Sequence, residues 1–183
     1  MNPDLYYPLG IGICFLASAF FSFTETSLTS LSNVQAEKII SGGGFFGRSI
    51  RTWVQQSSRL LTSILVGNTA ANTLAAVFAS DWVHRHFQSV SLSLVSLVLT
   101  LLILLFGEVA PKTIARAHAE EVAPYACRLL LIFDFVVYPI TYLFLSIVSI
   151  FVRVLGITIR DKRLVTHSDL EYMVSLAGRQ GTI

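Results

Sequence analysis

Long apolar runs separated by short polar intervals set the pattern of this chain. Residues 5–23, 60–80 and 87–107 each lack a charged side chain. At ~1.5 Å per residue, a helix over each can cross ~30 Å of hydrocarbon. The pattern predicts three transmembrane helices, over about 5–31, 60–81 and 88–110. A fourth apolar stretch, 122–155, is interrupted by Asp134 and Pro139. Proline lacks an amide donor and crowds the carbonyl four residues earlier. It divides the stretch into pieces of about 15 residues, each short for a crossing. The expectation is a juxtamembrane hairpin of two helices, about 122–138 and 140–157, lying at the cytoplasmic interface. A kinked spanning helix is the alternative.

The connections fit this plan. Residues 33–41 read as a helical continuation beyond the membrane, which Gly42-Gly43-Gly44 breaks. No GK[ST] follows the glycines, so they predict a flexible turn and not a phosphate loop. Ser168 followed by Glu171 has capping-box spacing for a short amphipathic helix over 169–178. That helix belongs to an expected cytoplasmic linker, 161–183, following a membrane domain over 1–160. The stop just after Gly181 reads as a truncation ahead of a further soluble domain.

Composition sharpens the class. Of 183 residues, 54% are hydrophobic and 13% charged, against roughly 25% charged in a soluble domain. This excludes a water-soluble enzyme and a disordered tail, and predicts an all-α integral membrane protein. A net charge of +2 with dispersed basic residues gives no footprint for a nucleic-acid partner. Cys14 and Cys127, each in apolar sequence without a CxxC neighbour, read as small buried hydrophobes. No Lys or Arg precedes Lys38, and Asp4 has the wrong sign for a signal-peptide n-region, so the first apolar run reads as a mature helix.

The basic residues give an orientation. Lys38, Arg48, Arg51 and Arg59 lie between the first and second spans, Arg85 alone between the second and third, and the rest from Lys112 onward. The positive-inside rule places the amino terminus outside and residues 32–59 inside. Arg116 and the group Arg153 to Arg163 both favour the cytoplasm, which is why 122–155 reads as a hairpin and not a fourth crossing.

Three polar clusters fall where lipid is expected, and such residues usually face protein or water. In the first helix, Ser18, Ser22, Glu25 and Thr29 share a face at spacings of three and four. Close helix packing by small polar residues explains the serines equally well, and Glu25 could be solvated near the cytoplasmic end. In the second helix, Gly67-Asn68 is followed one turn on by Asn72; interhelical hydrogen bonding is the simpler account of the amides. The third cluster is Phe106-Gly107-Glu108-Val109-Ala110-Pro111-Lys112. Pro111 leaves the Gly107 carbonyl without its helical donor, beside the Glu108 carboxylate. A freed carbonyl and a carboxylate at a helix break make a cation site. The competing account pairs Glu108 with Lys112 one turn on, merely ending the helix.

Together the clusters supply hydroxyl, amide, carbonyl and carboxylate oxygens, with no His or Cys. Hard cations such as Mg²⁺, Ca²⁺ or Na⁺ match that set. Spacing alone does not choose among them. An intramembrane hydrolase needs a nucleophile–base pair or two membrane aspartates. His84, His86, His118 and His167 fall outside the spans and Asp134 has no second aspartate, so an enzyme is not expected.

The same residues resemble a known family. Ser18-Ala19-Phe20-Phe21-Ser22 with Glu25 to Ser32 is similar to the opening of the CorC/CNNM transmembrane domain. Gly67-Asn68-Thr69-Ala70-Ala71-Asn72 resembles its GN-x-x-x-N segment, and Phe106 to Lys112 its FGE-hydrophobic-x-PK signature. Order and spacing fit over about residues 5–180. Phe23 departs from the pattern, where many members have glycine. The resemblance implies a multi-pass inner-membrane Mg²⁺ transporter with Na⁺-coupled export by alternating access, working as a homodimer with three spans and a juxtamembrane belt. It implies an ion held by Ser18, Ser22, Asn68, Gly107 and Glu108, with Asn72 beside them. Such proteins continue into CBS domains that bind ATP and often a CorC domain; both are absent from these residues, so no ATP site is expected here. A Mg²⁺-sensing regulator of another carrier, without flux of its own, would use the same ligands.

Overall fold

A computed structural model describes residues 3–86 and 92–154. The linker over 161–183 and the capped helix over 169–178 lie outside these. Two compact units divide the chain, residues 1–145 and 146–183. The first holds the hydrophobic core. Among the described residues every regular element is helical.

The first helix, α1, runs Pro3–Thr29. Its surface is inverted relative to a soluble helix. Leu9, Ile13 and Leu16 are exposed, whereas Ser18, Ser22, Thr24 and Ser27 are fully buried. That is the membrane arrangement, with apolar side chains toward lipid and small polar ones letting backbones approach. The α2 helix, Asn33–Ser41, does not simply continue α1. Ser32 caps it, accepting from the Gln35 amide while the Gln35 side chain accepts from the Ser32 amide. This reciprocal pair satisfies two donors that a helix start leaves open. Gly43 and Gly44 then take φ of 70° and 69°, a region that disfavours any side chain.

The α3 helix, Gly44–His86, begins well before residue 60 and changes direction at Gln56 (φ −133°, ψ 33°). Residues before the kink supply Ile50 and Trp53 to the core; those after it supply Leu60 and Ile64. Packing of this apolar face explains why 44–59 is helical despite its charges. The α4 helix, Leu92–Leu102, passes into a π-helix over Ile103–Val109 and then into α5, Ala110–Ala117. The expected break at Gly107 is therefore absent. The chain widens to a five-residue register, with the Ala110 amide donating to the Leu105 carbonyl. Carried one residue further, that register sets Pro111 opposite Phe106 and not Gly107.

The α6 helix, Ala119–Val154, carries Pro124 and Pro139 inside it. The expected hairpin at Pro139 is corrected to one continuous helix. A proline removes one hydrogen bond, but unwinding the turns around it in apolar surroundings would strand several more. Among the described residues, four helices are thus long and apolar enough to cross a membrane: Tyr6–Thr29, Gly44–His86, Ser93–Ala117 and Ala119–Phe151. The core joins α1, α2, α3 and α6 through Phe21, Leu28, Ala36, Ile50, Trp53, Leu60 and Leu130. Cys14 and Cys127 are free and buried, and the Cys127 thiol donates to the Ser49 carbonyl at 3.3 Å.

Candidate metal centre

Two glycines bring α1, α3 and the π-helix together. A Cβ on Gly67 would collide with the Phe21 ring, and one on Gly107 would stand 3.0 Å from Ser18 Oγ. With hydrogen at both positions, α1 lies directly against α3 and against the π-helix. Beside Gly67, Asn68 meets α1: Ser18 Oγ donates to Asn68 Oδ1 at 3.0 Å. Beside Gly107, Glu108 meets α3: Asn72 Nδ2 donates to Glu108 Oε1 at 3.2 Å. Ser18, Asn68 and Gly107 form one group and Asn72 with Glu108 a second, joined through the adjacent pair Gly107-Glu108.

Ser22, one turn along α1 from Ser18, makes no hydrogen bond to the other five. Its Oγ is buried without a partner, as is Asn72 Oδ1. Buried oxygens left unsatisfied are uncommon and costly. Here two of them fall in one small set. Their lone pairs are what a cation would use. Among the described residues no three His, Cys, Asp or Glu side chains converge, so a cation held at this place would have mainly neutral oxygens and one carboxylate to bind.

The charges around Glu108 also differ from the simpler account. Lys112 pairs with Glu25 across helices at 3.1 Å, both side chains part-exposed. Glu108 is thus left to Asn72. On the α4 side, Asn72 and Glu108 border a cavity of about 490 Å³ whose walls also carry Thr73, Ser80, Ser96 and Thr100. Hydroxyls line that approach.

A second polar cluster escapes sequence reasoning. Asp134, 3% exposed, receives Arg59 at 2.7 Å and the Ser63 hydroxyl, which also lies 3.1 Å from Thr141 Oγ1. It fastens α6 to α3. The signals were Asp134 within an apolar stretch and Arg59 at a span's margin, but nothing in the pattern pairs residues so far apart. Thr24 Oγ1, buried without a partner, carried no signal either.

The model of the cyclin M transmembrane N-terminal domain matches residues 9–183. The chain belongs to this family. It is 27% identical to a UPF0053 protein of Haemophilus influenzae over 91% of this chain and 40% of that one. It is 34% identical to a chloroplastic DUF21 domain-containing protein of Arabidopsis thaliana, over 91% of this chain and 25% of the relative. An inner membrane UPF0053 protein of Escherichia coli is 29% identical over 76% of this chain and 33% of its own. The cyclin M domain here spans well under half the length of these relatives. Family and apolar helices together make it a membrane domain, in agreement with the resemblance carried by Ser18-to-Ser32, Gly67-to-Asn72 and Phe106-to-Lys112.

Proposed function

We propose that this cyclin M domain moves Mg²⁺ across the plasma membrane, as Na⁺-coupled export by alternating access, and that it works as a homodimer with its amino terminus outside. The observation that carries the reading is the pair of unpaired buried oxygens, Ser22 Oγ and Asn72 Oδ1, within a set whose other members are Ser18, Asn68, Gly107 and Glu108. With Glu108 binding through one carboxylate oxygen, that set supplies six oxygens, the number an octahedral Mg²⁺ takes at ~2.0–2.1 Å. Adjacent ligands of such an octahedron lie about 3.0 Å apart, which is the Ser18 Oγ to Asn68 Oδ1 separation of 3.0 Å. Glu108 supplies the charge that offsets dehydration. The serine and asparagine oxygens complete the shell with the Gly107 carbonyl, a ligand that the family resemblance assigns and that the wide register, with Pro111 opposite Phe106, does not by itself free. Because Lys112 is engaged by Glu25, it does not neutralise that carboxylate. The hydroxyl-lined cavity beside Asn72 and Glu108 gives the ion a polar way in or out.

The test is flux through the purified chain in liposomes loaded with a Mg²⁺ dye, with and without a Na⁺ gradient. Flux that follows the gradient is expected. Mg²⁺ binding without flux would instead make the domain a sensor acting on another carrier. Glu108→Ala or Asn68→Ala should abolish Mg²⁺ binding by isothermal titration while the chain still folds as a dimer. Unchanged affinity in both variants would refute the assignment.

A further inference from the structure

At the start of α3, the exposed ring of Phe45 is flanked by two guanidinium groups. Arg48 Cζ lies 5.0 Å and Arg128 Cζ 5.1 Å from its centroid, so the two carbons are no more than about 10 Å apart. Among the described residues neither arginine takes part in an ion pair; Arg48 Nε reaches only the Gly44 carbonyl, at 3.4 Å. No acidic residue occupies the first turn of α3, the positive end of its dipole. Arg128 stands between two apolar grooves on the membrane domain. One, of about 470 Å³, is walled by Leu131, Ile132 and Phe135. The other, of about 660 Å³, is walled by Phe20, Phe46 and Leu129.

Both arginines are exposed, and their guanidinium groups, lying beside apolar side chains of a membrane domain, are free to take an anionic partner. Guanidinium groups match phosphate oxygens in charge and planar donor geometry. A free phosphate would use the arginines and leave both grooves unfilled, whereas a phosphodiester carrying two acyl chains matches the charge and the grooves together. Basic pockets between membrane helices take anionic headgroups in this way. We propose that Arg48 and Arg128 form a binding site for an anionic phospholipid, with the phosphate bridging the arginines beside Phe45 and acyl chains lying in the grooves on either side of Arg128. The site joins α3 to α6 and is separate from the Ser18–Glu108 oxygens, so it stands or falls independently of Mg²⁺ transport.

The full chain, purified in neutral detergent, is mixed with phosphatidylglycerol or phosphatidylcholine, and retained lipid is measured by native mass spectrometry. Retention of phosphatidylglycerol over phosphatidylcholine by the wild type is expected, and needs no variant. Arg48→Gln and Arg128→Gln should each weaken phosphatidylglycerol binding about fivefold, and together about twenty-five-fold. Arg48→Lys with Arg128→Lys should restore part of it, and Mg²⁺ affinity should be unchanged throughout. Equal retention of the two lipids, or equal phosphatidylglycerol binding by the double glutamine variant, overturns the proposal. So does thermal stabilisation by inorganic phosphate or glycerol phosphate as large as that by the lipid, which marks a simple anion site. A change of oligomeric state in the double variant with its lipid preference intact also overturns it, marking a contact between copies.

Discussion

Gly67→Ala tests whether close helix approach is what assembles the oxygen set. Besides the nearest ring carbon, two more Phe21 carbons would stand 2.7 Å from the new methyl. Carbon atoms pack at about 3.5–4.0 Å, so α1 and α3 must part by roughly 1 Å, or Phe21 must leave its place. That ring is held edge-on to Phe20 and Phe133, at centroid distances of 5.3 and 4.7 Å, so it has little room to turn. Overpacking of this kind costs about 1–3 kcal/mol. A parting of that size would also carry the Ser18–Asn68 contact from its 3.0 Å to about 4 Å, beyond hydrogen-bond and chelation range.

The expected outcome is therefore double: a lower melting temperature, and Mg²⁺ affinity reduced about tenfold or more, equivalent to about 1.4 kcal/mol. Thermal melting and isothermal titration read the two separately. Phe21→Leu shrinks the obstructing ring, so combined with Gly67→Ala it should cost less than the sum of the single changes, with a coupling of about 1–2 kcal/mol. Wild-type melting and affinity in Gly67→Ala, or strict additivity in the pair, would show that the glycine is not the point of approach.

Two further outcomes are expected of the fold. Asp134→Ala removes the buried partner of Arg59, whose Nε is already unsatisfied, and should cost about 3 kcal/mol; Asp134→Leu with Arg59→Met should recover much of the lost melting temperature, and no recovery would mean that the pair is not the fastening. The Glu120 carboxylate, by hydrogen bond first and charge second, raises the Lys38 pKa above the ordinary lysine value. The wild type's advantage over Lys38→Met, small because the ammonium is exposed, should be complete at neutral pH and fade as pH climbs through that raised value; an advantage growing with pH would contradict the pairing.

Helix positions and the polar clusters were legible because both rest on local rules, whereas the choice of six residues among those clusters rested on the family resemblance. Uncharged runs locate apolar helices by length, and i, i+4 spacing puts Ser18 with Ser22 and Asn68 with Asn72 on common faces. Three features were not legible, and each depends on something outside its own segment. Residues 44–59 are helical because Ile50 and Trp53 pack into a core that α1 and α6 complete. The helix continues through Pro139 in surroundings where local proline rules are outweighed by the cost of stranding more backbone. Lys112 chose Glu25 over Glu108 because α5 packs on α1, a choice that spacing within one helix cannot reveal.

The π-helix joins the legible and illegible parts. Pro111 signalled that the α register must fail near Gly107, and the register does change there, but by widening and not by breaking. A break would have left the carboxylate on a frayed end, free to turn toward water or toward Lys112. Widening keeps residues 103–109 wound while placing Gly107 against Ser18 and Glu108 against Asn72. π-Helical turns carry poorer geometry than α turns and recur where function requires a side chain re-aimed. On this account the glycine–proline spacing acts through register. Replacing Pro111 with alanine, which restores the missing amide, should let an α register return over 103–109 and rotate Glu108 away from Asn72. Mg²⁺ affinity should then fall although every ligand side chain is still present. Full affinity in Pro111→Ala would show that the wide turn is not what aims the carboxylate.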